Sequence, residues 1–172
     1  MTIEAPADAV YAYLLDFTRH PEWCANLSRV TQLTPGPIGV GTRFHAVEWA
    51  PPVAVGRRLL SMVFFIAGLV TGADSHSEAE ITALEPGQQI AWTGRVRRRK
   101  GDFNRSDWSI TLEPSNGATR LRQHFAYFPQ TAAARGMVAS LDSARGIESA
   151  ATANLARLKH VLERGVANGA PE

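Results

Sequence analysis

A chain of 172 residues has room for one domain with a sizeable core, and its 45% hydrophobic and 20% charged residues are ordinary globular values. A formal net charge of +2 and a pI near 9.0 are too mild to imply a nucleic-acid partner. Cys24 is the only cysteine, which excludes an internal disulfide and makes a reducing cytoplasm the simplest home.

The chain opens on "TIEAP", the end of a strand broken by Pro6. "ADAVYAYLLDF" then predicts a helix, because Val10, Tyr13, Leu14 and Phe17 recur at helical spacing. Pro21 ends that element, and "HPEW" makes a turn or a short second helix. "LSRVTQL" alternates apolar and polar residues as a strand does, "TPGPIGVG" supplies dense turn punctuation, and "TRFHAVEW" alternates again.

Residues 57–72, "RRLLSMVFFIAGLVTG", interrupt this pattern with an almost unbroken apolar run. A helix that spans a bilayer takes roughly 20 apolar residues, and this run supplies about a dozen, so a single-pass anchor is disfavoured. The run is apolar all round, so it needs cover on both sides. It is expected to lie over a cavity with one side and to meet a second copy of the chain or a lipid surface with the other.

Three further strands follow in "HSEAEITAL", "QIAWTGRV" and "SDWSITLEP"; the turn "SNGAT" then leads into a last strand, "RLRQHFAYF". The basic run "RVRRRKGD", Arg95 to Asp102, falls at a hairpin tip, where cations blunt edge aggregation or attract anionic head groups. From Thr131 the period changes. Ile147, Ala151, Leu155, Leu158 and Leu162 form one stripe, predicting a long amphipathic helix whose apolar side lies on something large. Residues 165–172 read as a flexible tail. The layout is strand, two short helices, antiparallel strands and one long carboxy-terminal helix. A curved sheet wrapped around that helix buries every apolar face, giving a single α+β domain over residues 1–164, with about 50–74 as an apolar insertion.

The segments "APADAVYAYLLDFTRHPEW", "VTQLTPGPIGVGTRF", "EITALEPGQQIAW", "ITLEPSNGATRL" and "NLARLKHVLE", in that order, resemble the START-like (SRPBCC) superfamily. Within it the similarity is to the polyketide cyclase/dehydrase and lipid-transport group. The resemblance implies a helix-grip fold with a deep apolar pocket, in proteins that range from aromatase/cyclases to passive lipid carriers. Two features depart from it: only Met1 to Glu4 precede the "AP" turn where a longer first strand is expected, and the insertion at 50–74 replaces a short connection.

Strand alternation sorts candidate pocket residues. If Phe44 points inward, so do Thr42, Ala46 and Glu48; the opposite register turns Arg43, His45, Val47 and Trp49 inward. The resemblance puts an apolar residue at Phe44 and so favours the first register, while the residues alone leave both open. The same logic groups Trp92 with Ile90 and Gly94, Trp108 with Ile110 and Leu112, and Gln123 with Leu121, Phe125 and Tyr127. Trp92 and Trp108 suit core packing as well as ligand contact, and Gln123 suits a bond to neighbouring backbone as well as a ligand. The resemblance places Trp23 at the pocket mouth. Phe44, Glu48, Trp92, Trp108, Ile110, Gln123, Phe125, Tyr127 and Trp23 are the ligand-binding candidates, an apolar set with few orienting polar groups.

Glu48 is the candidate general acid or base, because a buried carboxylate has its pKa raised; a salt bridge or a place on the rim is its plainer role. His20, His45, His76, His124 and His160 are scattered without metal-ligand spacing. No phosphate-binding or dinucleotide loop and no GxSxG elbow occurs, so neither a metal nor a cofactor is expected. These readings point to a cytoplasmic or membrane-peripheral protein that binds a lipid or polyketide-like molecule between sheet and carboxy-terminal helix. The alternative is a cofactor-independent polyketide cyclase or dehydratase. A third possibility is a membrane- or partner-docking module that uses residues 57–72.

Overall fold

A computed structural model describes residues 1–49, 74–98, 101–132, 134–135 and 141–169. The apolar run 57–72 and Arg99 and Lys100 of the basic run lie outside them.

Seven strands form one antiparallel sheet: β1 (Thr2–Ile3), β2 (Leu27–Gln32), β3 (Arg43–Trp49), β4 (Asp74–Glu85), β5 (Gln89–Arg98), β6 (Gly101–Ser115) and β7 (Ala118–Pro129). Their spatial order is β1-β7-β6-β5-β4-β3-β2, a meander closed at one end by the chain's first strand. The β6–β7 hairpin turns on Asn116 and Gly117, both at positive φ (50° and 85°), the two-residue loop whose twist matches its strands.

Helix α1 (Ala7–Leu15) and a 3-10 helix (Phe17–Glu22) link the two edge strands. The first helix was expected to run through Phe17, but it stops at Leu15. Asp16 leaves helical geometry, and its side chain accepts from Thr18 N at 3.1 Å, capping a new turn that holds Pro21. The two short helices are braced by Tyr13 donating to Glu22 Oε2 (3.0 Å) and by the Arg19–Glu22 ion pair.

Helix α2 (Leu141–Gly169) is the long carboxy-terminal element. Gly165 to Gly169, read from sequence as the start of a flexible tail, continue it. Leu158 and Leu162 are buried, with Leu155 and Val161 packed beside them, which is the predicted stripe; the side chain of Ile147 lies outside the described residues. Three polar contacts pin the helix: Ala25 N donates to Asn154 Oδ1 (3.0 Å), Lys159 Nζ to Thr2 O (2.6 Å) and Glu4 N to Glu163 Oε1 (2.9 Å). The helix is thus tied to β1 at one point and to the start of β2 at another. Val10 and Leu14 of α1, Leu158 and Leu162 of α2, and Ile81, Ile90, Ile110, Leu112 and Leu121 of the sheet share one core. The chain has the helix-grip α+β fold.

The basic run lies at the end of the β5–β6 hairpin, as expected, with Arg95 to Arg98 continuing β5 and paired with β6 as far as Gly101 opposite Arg98. Among the described residues no helix is long and apolar enough to cross a membrane.

Candidate functional site

Residues directly opposed in an antiparallel pair point to the same face, so the register reads out the concave surface in rows. Ile81, Trp92, Trp108 and Phe125 make one row across β4 to β7. The next row toward the far end of these strands is Phe44, Ala79, Gly94, Ser106 and Tyr127, and the one beyond it is Ala46, Ser77, Val96, Asn104 and Pro129. Phe44 is fully buried against Phe17 (ring centroids 4.6 Å, nearly parallel), which fixes this face as the interior; His45 belongs to the opposite face and stacks on His76 there.

The aromatic row is a continuous shelf. Trp92 and Trp108 stack at 5.9 Å within 3° of parallel, and Phe125 stacks on Trp108 at 4.9 Å. Phe17 meets Trp92 edge-on at 5.3 Å, joining the shelf to the 3-10 helix. The rows above the shelf change character. Ala79, Gly94, Ser106, Ala46 and Ser77 are small, whereas a sheet face packed to completion carries bulky residues. An apolar floor below small and polar side chains suits a ligand with an apolar body.

The polar groups at these levels are held in place. Trp108 Nε1 donates to Ser106 Oγ (2.8 Å), and Asn104 Nδ2 donates to the Tyr127 hydroxyl (2.6 Å). Gly94 makes the first of these possible: a Cβ there would lie 2.9 Å from Ser106 Oγ. Glu48, on the row after Ala46, is half-buried; burial raises its pKa, and a hydrogen bond from Ser77 opposes the rise.

Behind the shelf, His20 is fully enclosed. It stacks on Phe17 at 4.3 Å, meets Trp23 and Trp92 edge-on, and bonds through Nε2 to Leu14 O (2.9 Å). The carbonyl can only accept, so Nε2 carries a proton, and burial, which lowers the pKa to about 4, keeps the ring neutral. Trp23 is 1% exposed, and its Nε1 has no hydrogen-bond partner among the described residues. The Cys24 thiol is pushed up to about 12 by burial, which makes it a small apolar group and not a nucleophile.

The structure therefore brings Phe44, Trp92, Trp108, Phe125 and Tyr127 together on adjacent rows of one face, with Glu48 further along the same face. Ile110 and Gln123 pair on a row on the opposite side of the shelf, where Ile110 is part of the packed core. Trp23 lies behind Phe17 and His20. Sequence reasoning missed Ser77, Asn104 and Ser106, and gave Phe17 and His20 no part beyond a helix. A separate open crevice of about 400 Å³ between the 3-10 helix and α2, lined by Glu22, Ala156, Arg157, His160 and Val161, shares no residue with this set. Among the described residues no group of three or more His, Cys, Asp or Glu is placed to hold a metal ion.

Comparison with solved structures finds the same architecture in distant sequences. The Zhui aromatase/cyclase from Streptomyces sp. R1128 is 17% identical with a TM-score of 0.68, over 99% of this chain and 95% of that one. A protein from Chromobacterium violaceum is 18% identical with a TM-score of 0.62, over 95% and 93%. The di-domain ARO/CYC BexL of the BE-7585A biosynthetic pathway is 16% identical with a TM-score of 0.59, over 93% of this chain and 43% of that one. No curated protein matches the chain. Residues 1–163 match the family described as polyketide cyclase / dehydrase and lipid transport, and with that match over nearly its whole length the chain belongs to this family of the START-like superfamily.

Proposed function

We propose that the protein binds a hydrophobic small molecule, a lipid or a polyketide-like compound, on the concave face of the sheet beneath the carboxy-terminal helix. The observation that carries this reading is the Trp92–Trp108–Phe125 shelf, bordered by small residues at Ala79, Gly94 and Ser106. Family membership and the aromatase/cyclase among its structural relatives support it. Native mass spectrometry of freshly purified protein tests it: a lipid-like adduct, or binding of a hydrophobic fluorescent probe, is the expected result. Absence of both overturns the reading.

Glu48 favours a second reading, a cofactor-independent cyclase or dehydratase acting on the bound molecule. Burial raises its pKa above that of an ordinary carboxyl, the direction a proton-transferring carboxyl needs. Glu48→Gln is expected to leave ligand affinity within a few fold while turnover falls by roughly 10²-fold or more. Equal turnover in parent and variant removes Glu48 from the mechanism. On their sequence alone, residues 57–72 are proposed to give a contact surface for a second copy or a lipid surface, in a cytoplasmic or membrane-peripheral protein.

A further inference from the structure

We propose that His45 and His76 form a two-imidazole site for a divalent transition-metal ion, zinc(II) or one of its first-row neighbours. The site lies on the face of the sheet opposite the aromatic shelf and does not depend on the ligand reading above.

His45 of β3 is directly opposed to Glu78 of β4, and His76 stands two residues before Glu78. The two imidazoles are therefore diagonal neighbours on one face, a separation that aromatic side chains reach across. Buried Phe44 and Ala46 on either side of His45 put that face outward. His76 is exposed and His45 half-buried; their rings lie within 19° of parallel with centroids 5.1 Å apart. His45 Nε2 and His76 Nδ1 meet at 3.1 Å. For this to be a hydrogen bond, one nitrogen holds a proton and the other a lone pair. Water competes with such a bond at an exposed position, so its net contribution is small. Two charged imidazoles at this separation would repel. The pair gains little from either arrangement.

The spacing is that of a chelate. Two nitrogens bound to one ion at about 2.0–2.1 Å, at an angle of about 90–109°, stand about 2.8–3.4 Å apart, and 3.1 Å falls inside that range. To take the ion, the donating ring moves its proton to its far nitrogen, so a neutral pair binds without net proton release. Both lone pairs then turn to the ion by rotation about the torsion next to each ring, which is soft in histidine. Water fills the remaining positions. Zinc, copper and nickel suit imidazole, whereas magnesium and calcium suit oxygen ligands. Charge does not supply the attraction: on the same face Glu78 is opposed by Arg95 and Glu80 by Arg43, with Arg29 opposite Val47. Two protein ligands are fewer than a structural zinc takes, so the ion is exchangeable. The pair stands where β3 ends at Trp49 and β4 begins at Asp74, so a bound ion ties the two strands together at the foot of residues 50–73.

The test adds zinc chloride, the ion alone, to the nitrogen-15-labelled full chain in a non-chelating buffer at neutral pH. Long-range proton–nitrogen NMR follows the histidine ring nitrogens. His45 Nε2 and His76 Nδ1 are expected to move to metal-bound shifts together, with one midpoint. The rings of His124 and His160, both exposed, are expected to stay unchanged over that range. In His45→Gln and in His76→Gln, the midpoint of the remaining ring is expected to rise about tenfold or more, because the second bond of a chelate forms within one molecule. Should a variant fail to fold, the parent spectrum decides alone. Either nitrogen staying unmoved, the two rings titrating at separate midpoints, or a midpoint that survives unchanged in a folded single variant overturns the site.

Discussion

An imidazole enclosed by Phe17, Trp23 and Trp92 gains little from a charge, and His20 shows the consequence for stability. Its pKa is lowered from an ordinary 6.5 to about 4 by burial. Above pH 6.5 the ring is neutral in the folded and the unfolded chain and contributes no pH dependence. As the pH falls from 6.5 toward 4, only the unfolded chain takes the proton, so stability is lost across that window, up to about 3 kcal/mol at its lower end. His20→Gln keeps an N–H for Leu14 O but removes the titration. Thermal melts at pH 7, 5.5 and 4.5 are expected to show the parent ahead of the variant at pH 7 and the gap closing as the pH falls. A gap that stays constant would show that His20 is not the group responsible. Single residues also mark where sequence reading stopped. Ser106 and Asn104 look like solvent-face strand residues when the chain is read alone. Their role depends on Trp108 two positions away and on Tyr127 in a strand whose register no local pattern states.

Elements were more legible than the contacts between them. Period-two alternation grouped Trp92, Trp108 and Phe125 each with the other residues on its face of its own strand, whereas at Phe44 the residues left both registers open and the family resemblance chose between them. It could not say which of these side chains share a row, since that is set by the hairpin turns and by bulges such as the one between Ile81 and Ala83. At the β5–β6 hairpin the strand expected to end at Val96 runs on through Arg97 and Arg98. Helix α2 was found because a stripe at spacings of three and four residues survives without knowledge of its partner. Leu158 is the centre of that stripe and has no exposure at all. Leu158→Ala is expected to cost about 2–5 kcal/mol through lost burial and a residual cavity, and at this chain length each kcal/mol lowers Tm by about 2–4 °C. Lys159→Ala, at an exposed bond to Thr2 O, should cost less than about 1 kcal/mol. Equal costs for the two would mean that α2 is held by its polar ties and not by its stripe.

At the scale of the whole molecule, the order of strands was not legible, because the meander is closed by a pairing between the two most distant parts of the sheet sequence. Ile3 lies opposite Thr119, and the Thr119 hydroxyl donates to Ala5 O at 2.6 Å across 114 residues. Nothing near either segment announces the other. The closure also sets a clock during synthesis. At about 5–20 residues added per second, β1 leaves the ribosome on the order of 10 s before β7 exists to receive it. Until β7 is made, Thr2 and Ile3 have no ladder to join, so β1 becomes a strand at the moment its partner arrives.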